Sequence, residues 1–132
     1  MREFHLEIVT PDGLEYDGPA ESLLVRTDDG DVQILAGHMD YMASLSTGRA
    51  KVVIGGKERV AACSGGFLTC TANEVKLVAV TFEFSDDIDL ERARRARDRA
   101  EEQIRHSADD RELVMAKARL RRAMSRIDVA TK

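Results

Sequence analysis

Apolar and polar residues alternate along the first part of the chain. Phe4, Leu6 and Ile8 are separated by single polar residues, which is the period of two expected of a strand with one buried face. The turn-forming sequence Thr10-Pro11-Asp12-Gly13 follows directly. Similar patterns predict further strands at residues 14–16, 22–27, 51–54, 57–63, 67–71 and 74–80.

Short groups of turn-forming residues separate these predicted strands. Turn signals about every 8 to 12 residues are typical of a β-sandwich or a β-barrel. The predicted turns after the first one are Asp17-Gly18-Pro19, Asp28-Asp29-Gly30, Gly55-Gly56 and Ala72-Asn73.

The period changes from two to between three and four after Ser85. One apolar stripe consists of Leu90, Ala93, Ala96, Ala100 and Ile104, and a second of Leu113, Ala116, Leu120, Ala123 and Ile127. Stripes at this spacing predict two amphipathic helices, and the short polar link between them predicts an antiparallel hairpin. Candidate N-caps are Ser85, Asp87 and Asp89 for the first helix and Asp109 or Asp110 for the second.

The composition divides the chain at the same place. All nine glycines and both prolines precede residue 67, whereas eleven of the fifteen arginines follow residue 91. We therefore predict an α+β fold, with an N-terminal antiparallel β-sandwich of about ten short strands (residues 1–84) and a C-terminal two-helix antiparallel hairpin (residues 85–132). Because the hairpin stripes consist mainly of alanine, we expect the hairpin to dock weakly and to move as a unit.

Charge and hydropathy exclude several classes of protein. The net charge is −4, with −6 in residues 1–84 (7 basic, 13 acidic) and +2 in residues 85–132 (13 basic, 11 acidic). This division argues against a dedicated nucleic-acid binder. No apolar run approaches the ~18 residues of a membrane span, so we expect a cytoplasmic or peripheral protein without direct membrane insertion.

The two cysteines and three histidines do not indicate catalysis or metal binding. Cys63 and Cys70 lie in predicted strands, so we expect buried, reduced side chains rather than a disulfide or a zinc site. The chain contains no P-loop motif and no constellation of a nucleophile, a base and oxyanion donors. We therefore predict a noncatalytic protein.

Arginines form a stripe on each predicted helix. One stripe is Arg92, Arg95 and Arg99, and the other is Arg119, Arg122 and Arg126. If the hairpin brings the stripes together, the guanidinium groups can bind a polyphosphate, with Asp89 and Glu83 as acceptors for a base amine. The alternative is a solvated face on which arginines pair with Glu91, Asp98, Glu101 and Glu102.

Four stretches of the sequence resemble one known family. They are Thr10-Pro11-Asp12-Gly13, residues 30–38 (Gly-Asp-Val-Gln-Ile-Leu-Ala-Gly-His), Ser64-Gly65-Gly66-Phe67-Leu68, and Ile88-Asp89-Leu90-Glu91-Arg92-Ala93. In this order and spacing the chain resembles the epsilon subunit of bacterial F-type ATP synthases along nearly its whole length. The resemblance implies a noncatalytic rotor subunit, attached peripherally at the cytoplasmic side of the cell membrane.

The resemblance also implies partners and a ligand. The sandwich would contact the gamma subunit and the c-ring, and the extended helices would reach the alpha and beta catalytic subunits and restrain ATP hydrolysis. No cofactor is required, and ATP would act as a regulatory ligand of the folded hairpin. The ATP-binding pattern of the family is matched by Glu83, Ile88, Asp89, Arg92, Arg99, Arg122 and Arg126.

The expected c-ring contact is the segment that contains Asp31 and His38. Gln33, Ala36 and Asp40 stand there in place of the family's usual glycine and two prolines. A second interpretation of the whole chain remains, namely a freestanding ATP-sensing module that uses the same arginine pocket.

Overall fold

The computed structural model describes residues 2–131, which form ten strands, a 3₁₀ turn and two helices. The two helices follow all of the strands, so the predicted α+β fold class is confirmed. The elements are β1 (Phe4–Thr10), β2 (Gly13–Ala20), β3 (Ser22–Thr27), β4 (Gly30–Leu35), β5 (Tyr41–Ser44), β6 (Gly48–Ile54), β7 (Lys57–Ser64), β8 (Phe67–Thr71), β9 (Glu74–Val78), β10 (Thr81–Phe84), the 3₁₀ turn Ser85–Asp87, α1 (Leu90–Arg105) and α2 (Asp110–Thr131).

The strands form two five-stranded sheets that pack face to face. One sheet has the order β2-β1-β9-β8-β5 and the other the order β10-β7-β6-β3-β4. Every pairing is antiparallel except that of β1 with β9, which is parallel, with His5 opposite Glu74. The predicted sandwich is thus confirmed, with one parallel pair among its otherwise antiparallel pairings.

The core lies between the sheets and is made by the alternation seen in the sequence. Leu6, Ile8, Leu23 and Leu68 are completely buried, while the polar neighbours of the β1 residues are partly exposed. Both cysteines are buried, as predicted, and burial raises the pKa of the Cys63 thiol to about 12. A thiol with that pKa stays protonated and unreactive near neutral pH.

One predicted turn is wrong. Asp17-Gly18-Pro19 lies inside β2, where Pro19 is opposite His5 of β1. A proline is tolerated there because β2 is an edge strand, which does not need every backbone N–H for pairing. The turn at Ala72-Asn73 is confirmed, since both residues have positive φ angles of 49° and 64°.

Gly66 is required by its surroundings. Its φ angle is 93°, and a Cβ atom added to it would lie 1.8 Å from the carbonyl oxygen of Val78. No side chain fits at this distance, so glycine alone allows the start of β8 to approach β9 so closely. Gly55, with a φ angle of 58°, has open space around the equivalent position.

Both helices begin at predicted caps. Asp89 Oδ1 accepts a hydrogen bond from the backbone N–H of Arg92 at 3.0 Å, and Asp109 Oδ1 accepts one from Glu112 at 2.8 Å. The helices pack against each other through small residues of the predicted stripes. Four of these alanines are buried, namely Ala93, Ala100, Ala116 and Ala123.

The second helix attaches the hairpin to the sandwich. It packs on β6 and β7, and Val129 near its end is only 3% exposed. Arg49 of β6 donates to Asp128 at 2.8 Å, and the Ser125 hydroxyl reaches the Gly48 carbonyl oxygen at 3.5 Å. The hairpin is therefore folded against the second sheet, which creates a cleft between the two units.

Candidate functional site

The cleft between hairpin and sandwich has a volume of about 520 Å³. It brings together five of the seven residues predicted to bind a nucleotide. These are Glu83, Asp89, Arg92, Arg99 and Arg126. Its other wall comes from the sandwich, where Thr10, Asp12 and Glu15 belong to the β1–β2 turn and its flanks.

A second cavity, of about 340 Å³, lies between the two helices and adjoins the cleft. The two spaces share Arg99 and Arg126, and Arg122 and Arg119 complete the second one. Within residues 2–131, no acidic side chain lines this space. We call it the arginine cavity.

The arginine cavity is electrostatically unfavourable when it is empty. Partial burial lowers the pKa of the Arg122 guanidinium, and the like charges of Arg126, Arg119 and Arg121 lower it further. The group stays cationic near neutral pH, so the repulsion persists. An anion with several oxygens would offset this repulsion by accepting paired, charge-assisted hydrogen bonds.

The arginines of the site differ in how far they are already engaged. Arg126 Nε donates to Glu83 Oε1 at 2.5 Å, which fixes both side chains across the hairpin–sandwich boundary. Arg119 Nη1 donates to Gln103 at 3.4 Å. Among residues 2–131, the guanidinium groups of Arg92, Arg99 and Arg122 make no ion pair, so they remain available to a ligand.

The acidic residues that a solvated face would use are paired with other arginines. Glu91 accepts from Arg94, and Glu102 pairs with Arg105. Arg97 forms ion pairs with the carboxylates of Asp98 and Glu101. The arginines that face the cavities are thus distinct from those that form surface ion pairs along the first helix.

Arg95 of the first arginine stripe and Ile88 of the expected ATP-binding pattern line neither the cleft nor the arginine cavity. Arg95 is exposed on α1 and lines neither cavity. Ile88 is half-buried in the link before α1 and does not line the cleft, although its neighbours Asp87 and Asp89 do.

Sequence reasoning missed the sandwich wall of the cleft. The sequence places Thr10 and Asp12 in a predicted turn and Glu15 in a predicted strand, and no local pattern shows that the docked helices lie beside them. Arg119 belonged to a predicted stripe, but only the structure places it in the arginine cavity.

The residues expected at the c-ring lie on a different part of the sandwich. Asp31 is exposed on β4 and accepts from Arg26 at 3.1 Å. His38 lies in the loop after β4, where its ring meets Tyr41 edge-on at a centroid distance of 5.8 Å. About 13 Å of extended strand separates Asp31 from Leu35, whose carbonyl oxygen accepts the His38 backbone N–H at 3.1 Å. The two side chains therefore do not form one compact site.

His5 connects three strands on the outer face of the first sheet. Its Nδ1 contacts Glu74 Oε2 at 2.6 Å and its Nε2 contacts Asp17 Oδ1 at 2.5 Å. The hydrogen bond with Glu74, and after it the one with Asp17, raises the pKa of His5 above its ordinary value. This is a structural bridge that holds β2, β1 and β9 together.

Residues 2–131 contain neither a candidate metal site nor a candidate membrane span. No group of three or more His, Cys, Asp or Glu side chains there has the arrangement of a metal site. In the same range, neither helix combines the length and the apolar character that crossing a bilayer requires.

Two family profiles together match nearly the whole chain. Residues 3–85 match "ATP synthase, Delta/Epsilon chain, beta-sandwich domain", and residues 86–131 match "ATP synthase, Delta/Epsilon chain, long alpha-helix domain". The ATP synthase epsilon chain of Bacillus velezensis is 39% identical over 130 residues, covering 98% of each chain. That of Bacillus subtilis is 39% identical over 132 residues, covering all of both chains.

Two solved structures share the fold. One is a cryo-EM structure of the Euglena gracilis mitochondrial ATP synthase, OSCP/F1/c-ring, in which the matching chain has a TM-score of 0.81 and 23% identity over 98% of this chain and 82% of that one. The other is the central stalk/c-ring of the Tetrahymena thermophila mitochondrial ATP synthase, with a TM-score of 0.59 and 14% identity over 98% of this chain and 95% of that one.

Proposed function

Because this chain belongs to the ATP synthase epsilon-chain family of noncatalytic central-stalk subunits, we propose that it couples rotation and senses ATP through its helical hairpin. Residues 1–84 serve as the coupling unit and bind the gamma subunit and the c-ring. Residues 85–132 serve as the regulatory unit, which restrains ATP hydrolysis when it extends toward the alpha and beta subunits. The complex holds the chain peripherally at the cytoplasmic side of the membrane.

The coupling role is supported by family membership. Both related solved structures contain the c-ring, and that of Tetrahymena thermophila is the central stalk with the c-ring. We assign c-ring contact to the β4 segment around Asp31 and to the following loop with His38, which are accessible at the two ends of an edge strand.

The regulatory role is carried by one observation, which is that docking of the hairpin on the sandwich creates a cleft that adjoins the arginine cavity between the helices. Arg92, Arg99, Arg122 and Arg126 bind the phosphates of ATP, and the carboxylates of Glu83 and Asp89 lie at the other end of the ligand. Extension of the hairpin takes the two walls of the cleft apart. ATP then stabilises the docked hairpin in proportion to its preference for that form.

Calorimetry of the full chain with ATP tests the binding site. We expect saturable heat at or below millimolar ATP, and a loss of about tenfold or more in affinity for Arg92→Ala and for Arg126→Ala, because each removes a charge-assisted contact. Arg95→Ala is the matched control, since it removes the same group from the same helix outside the cavities. Absence of saturable heat from the unmodified chain would remove the sensor role.

A distance measurement in the assembled complex tests the movement. Dyes at Lys57→Cys on the sandwich and Met124→Cys on α2 occupy exposed positions, and the buried native thiols will not compete for labelling. We expect the distance to increase when ATP is withdrawn. A distance that does not depend on ATP would leave only the coupling role.

The alternative function is that of a freestanding ATP sensor that uses the same arginine pocket. Retention of the chain by an immobilised gamma subunit at micromolar concentration supports the coupling role. ATP binding without any such retention would favour the freestanding sensor.

A further inference from the structure

The sandwich wall of the cleft contains a carboxylate that is already positioned. The Thr10 hydroxyl, on a residue only 6% exposed, donates to Glu15 Oε1 at 3.0 Å and also accepts the backbone N–H of Asp12 at 3.2 Å. Thr10 therefore ties the turn and the Glu15 side chain to the rigid β1–β2 pair. Glu15 still has a second oxygen without a hydrogen bond among the described residues.

The other carboxylates of the cleft are less suited to a further ligand contact. Asp89 uses Oδ1 to cap α1, and Glu83 uses Oε1 to hold Arg126. Asp87 is exposed on the 3₁₀ turn and has no side chain that fixes it among the residues described. Asp12 and Glu83 are also sandwich carboxylates that line the cleft, but Glu83 is paired with Arg126 and, within residues 2–131, no hydrogen bond holds the Asp12 side chain. Among these described residues Glu15 is therefore the sandwich carboxylate that is both held in place and not paired with a cation.

The two adjoining spaces differ in charge, and this difference orients a nucleotide. Only arginines among the charged residues line the cavity between the helices, whereas the cleft also contains acids. Phosphates belong in the arginine cavity and beside Arg92 of the cleft, so the nucleoside lies in the rest of the cleft, beside the β1–β2 turn. A nucleoside offers a carboxylate two kinds of donor, the base amine and the vicinal ribose hydroxyls, and an Asp or Glu is a common partner of the hydroxyls.

We propose that Glu15 binds the ribose hydroxyls of the nucleotide whose phosphates lie in the arginine cavity, so that the β1–β2 turn of the sandwich is a wall of the binding site. This inference rests on the nucleotide site proposed above. Its consequence is that one ligand contacts both units, the sandwich through its sugar and the hairpin through its phosphates. Binding at both ends is what makes the nucleotide stabilise the docked hairpin.

A pair of ligands of equal charge isolates this contact. ATP and 2′,3′-dideoxy-ATP carry the same phosphates, so removal of the Glu15 charge changes the repulsion of both ligands equally. Their affinity ratio then reports only the ribose hydroxyls. For the unmodified chain we expect ATP to bind about tenfold more tightly than the dideoxy ligand, which corresponds to about 1.4 kcal/mol.

Variants of Glu15 then test whether this residue causes the preference for ATP over the dideoxy ligand. We expect the preference for ATP to fall below about twofold in Glu15→Ala and to be intermediate in Glu15→Gln, whose amide oxygen still accepts. Glu58→Ala, an exposed glutamate of β7 outside the cleft, should retain the tenfold preference. Retained binding of the dideoxy ligand by Glu15→Ala shows that this variant is folded. If Glu15→Ala does not bind the dideoxy ligand, the test is made with Glu15→Gln, and an unchanged tenfold preference for ATP in that variant contradicts the proposal.

Equal affinity of the unmodified chain for the two ligands would overturn the inference, and so would a tenfold preference that survives in Glu15→Ala. In both cases a loss of ATP affinity in Arg92→Ala would leave the proposed nucleotide site standing. If the unmodified chain binds neither ligand, both proposals fail together.

Discussion

Val129 provides the sharpest test of whether the hairpin docks as a separate unit. It is 3% exposed at the end of α2, whereas the other fully buried residues of the two helices are alanines. Val129→Ala removes two buried methyl-sized groups at about 0.8 kcal/mol each, or about 1.6 kcal/mol together, and incomplete closure of the space raises the cost to about 2 kcal/mol. If docking is a separate equilibrium, this cost falls on the hairpin alone.

Native-state hydrogen exchange measures that equilibrium residue by residue. We expect amides in α1 and α2 to exchange about 10- to 30-fold faster in Val129→Ala, since each 1.4 kcal/mol corresponds to a factor of ten. Amides of β1, β8 and β9 should keep their protection, because the core between the sheets does not involve Val129.

Val114→Ala is the matched control. Val114 lies on the same helix but is 65% exposed, so the change should alter protection by less than about 0.5 kcal/mol. Both variants gain the same helix propensity from alanine, and the comparison cancels that gain. An equal loss of protection in the hairpin and in the β core would show one cooperative unit and refute the two-unit reasoning. Unchanged protection in Val129→Ala would show that its burial does not stabilise docking.

Three further predictions concern the sandwich and its boundary with the hairpin. Gly66→Ala should lower the free energy of urea unfolding by more than about 2 kcal/mol, because its Cβ would overlap a backbone carbonyl. Gly55→Ala is the control, since Gly55 also has a positive φ but has open space around it, and this change should cost about 1–2 kcal/mol. Equal losses of stability in the two variants would contradict the steric argument. Because the folded pKa of His5 is raised, its stabilising contribution is complete below its unfolded pKa of about 6.5 and is lost as pH rises through the folded pKa. Unfolding between pH 6 and pH 9 should show this loss in the unmodified chain and not in His5→Gln, and identical pH profiles would refute it. A double-mutant cycle of Arg49→Ala with Asp128→Ala should give a coupling of about 0.2–1 kcal/mol, since the pair is only partly buried, and a coupling of zero would show that this ion pair does not help to hold the hairpin.

Both helices and seven of the ten strands among residues 2–131 were predictable because they depend on local spacing, whereas β4, β5 and β10 were not located from the sequence. An alternation such as that of Phe4, Leu6 and Ile8 marks a one-sided strand wherever the strand is finally placed, and the stripes after Ser85 mark helices in the same way. Asp89 was predictable as a cap for the same reason, since capping involves only residues three positions apart. The convergence of the two arginine stripes followed from the short link between the helices.

Partners far apart in the sequence were decided by the tertiary structure. The parallel pairing of β1 with β9 joins His5 to Glu74, 69 positions later, and no local pattern contains that information. Asp17-Gly18-Pro19 looked like a turn because its residues favour turns, but an edge position in the sheet tolerates them.

The candidate site divides in the same way. The sequence by itself determined that arginines would line the hairpin, because their spacing on a helix sets the face that they share. Which arginines enclose a cavity, with Arg119 inside and Arg95 outside, depends on how two helices pack against each other and against a sheet. Glu15 reaches the same cleft only because docking brings the β1–β2 turn to the helices, and such long-range packing is a property of the folded chain as a whole.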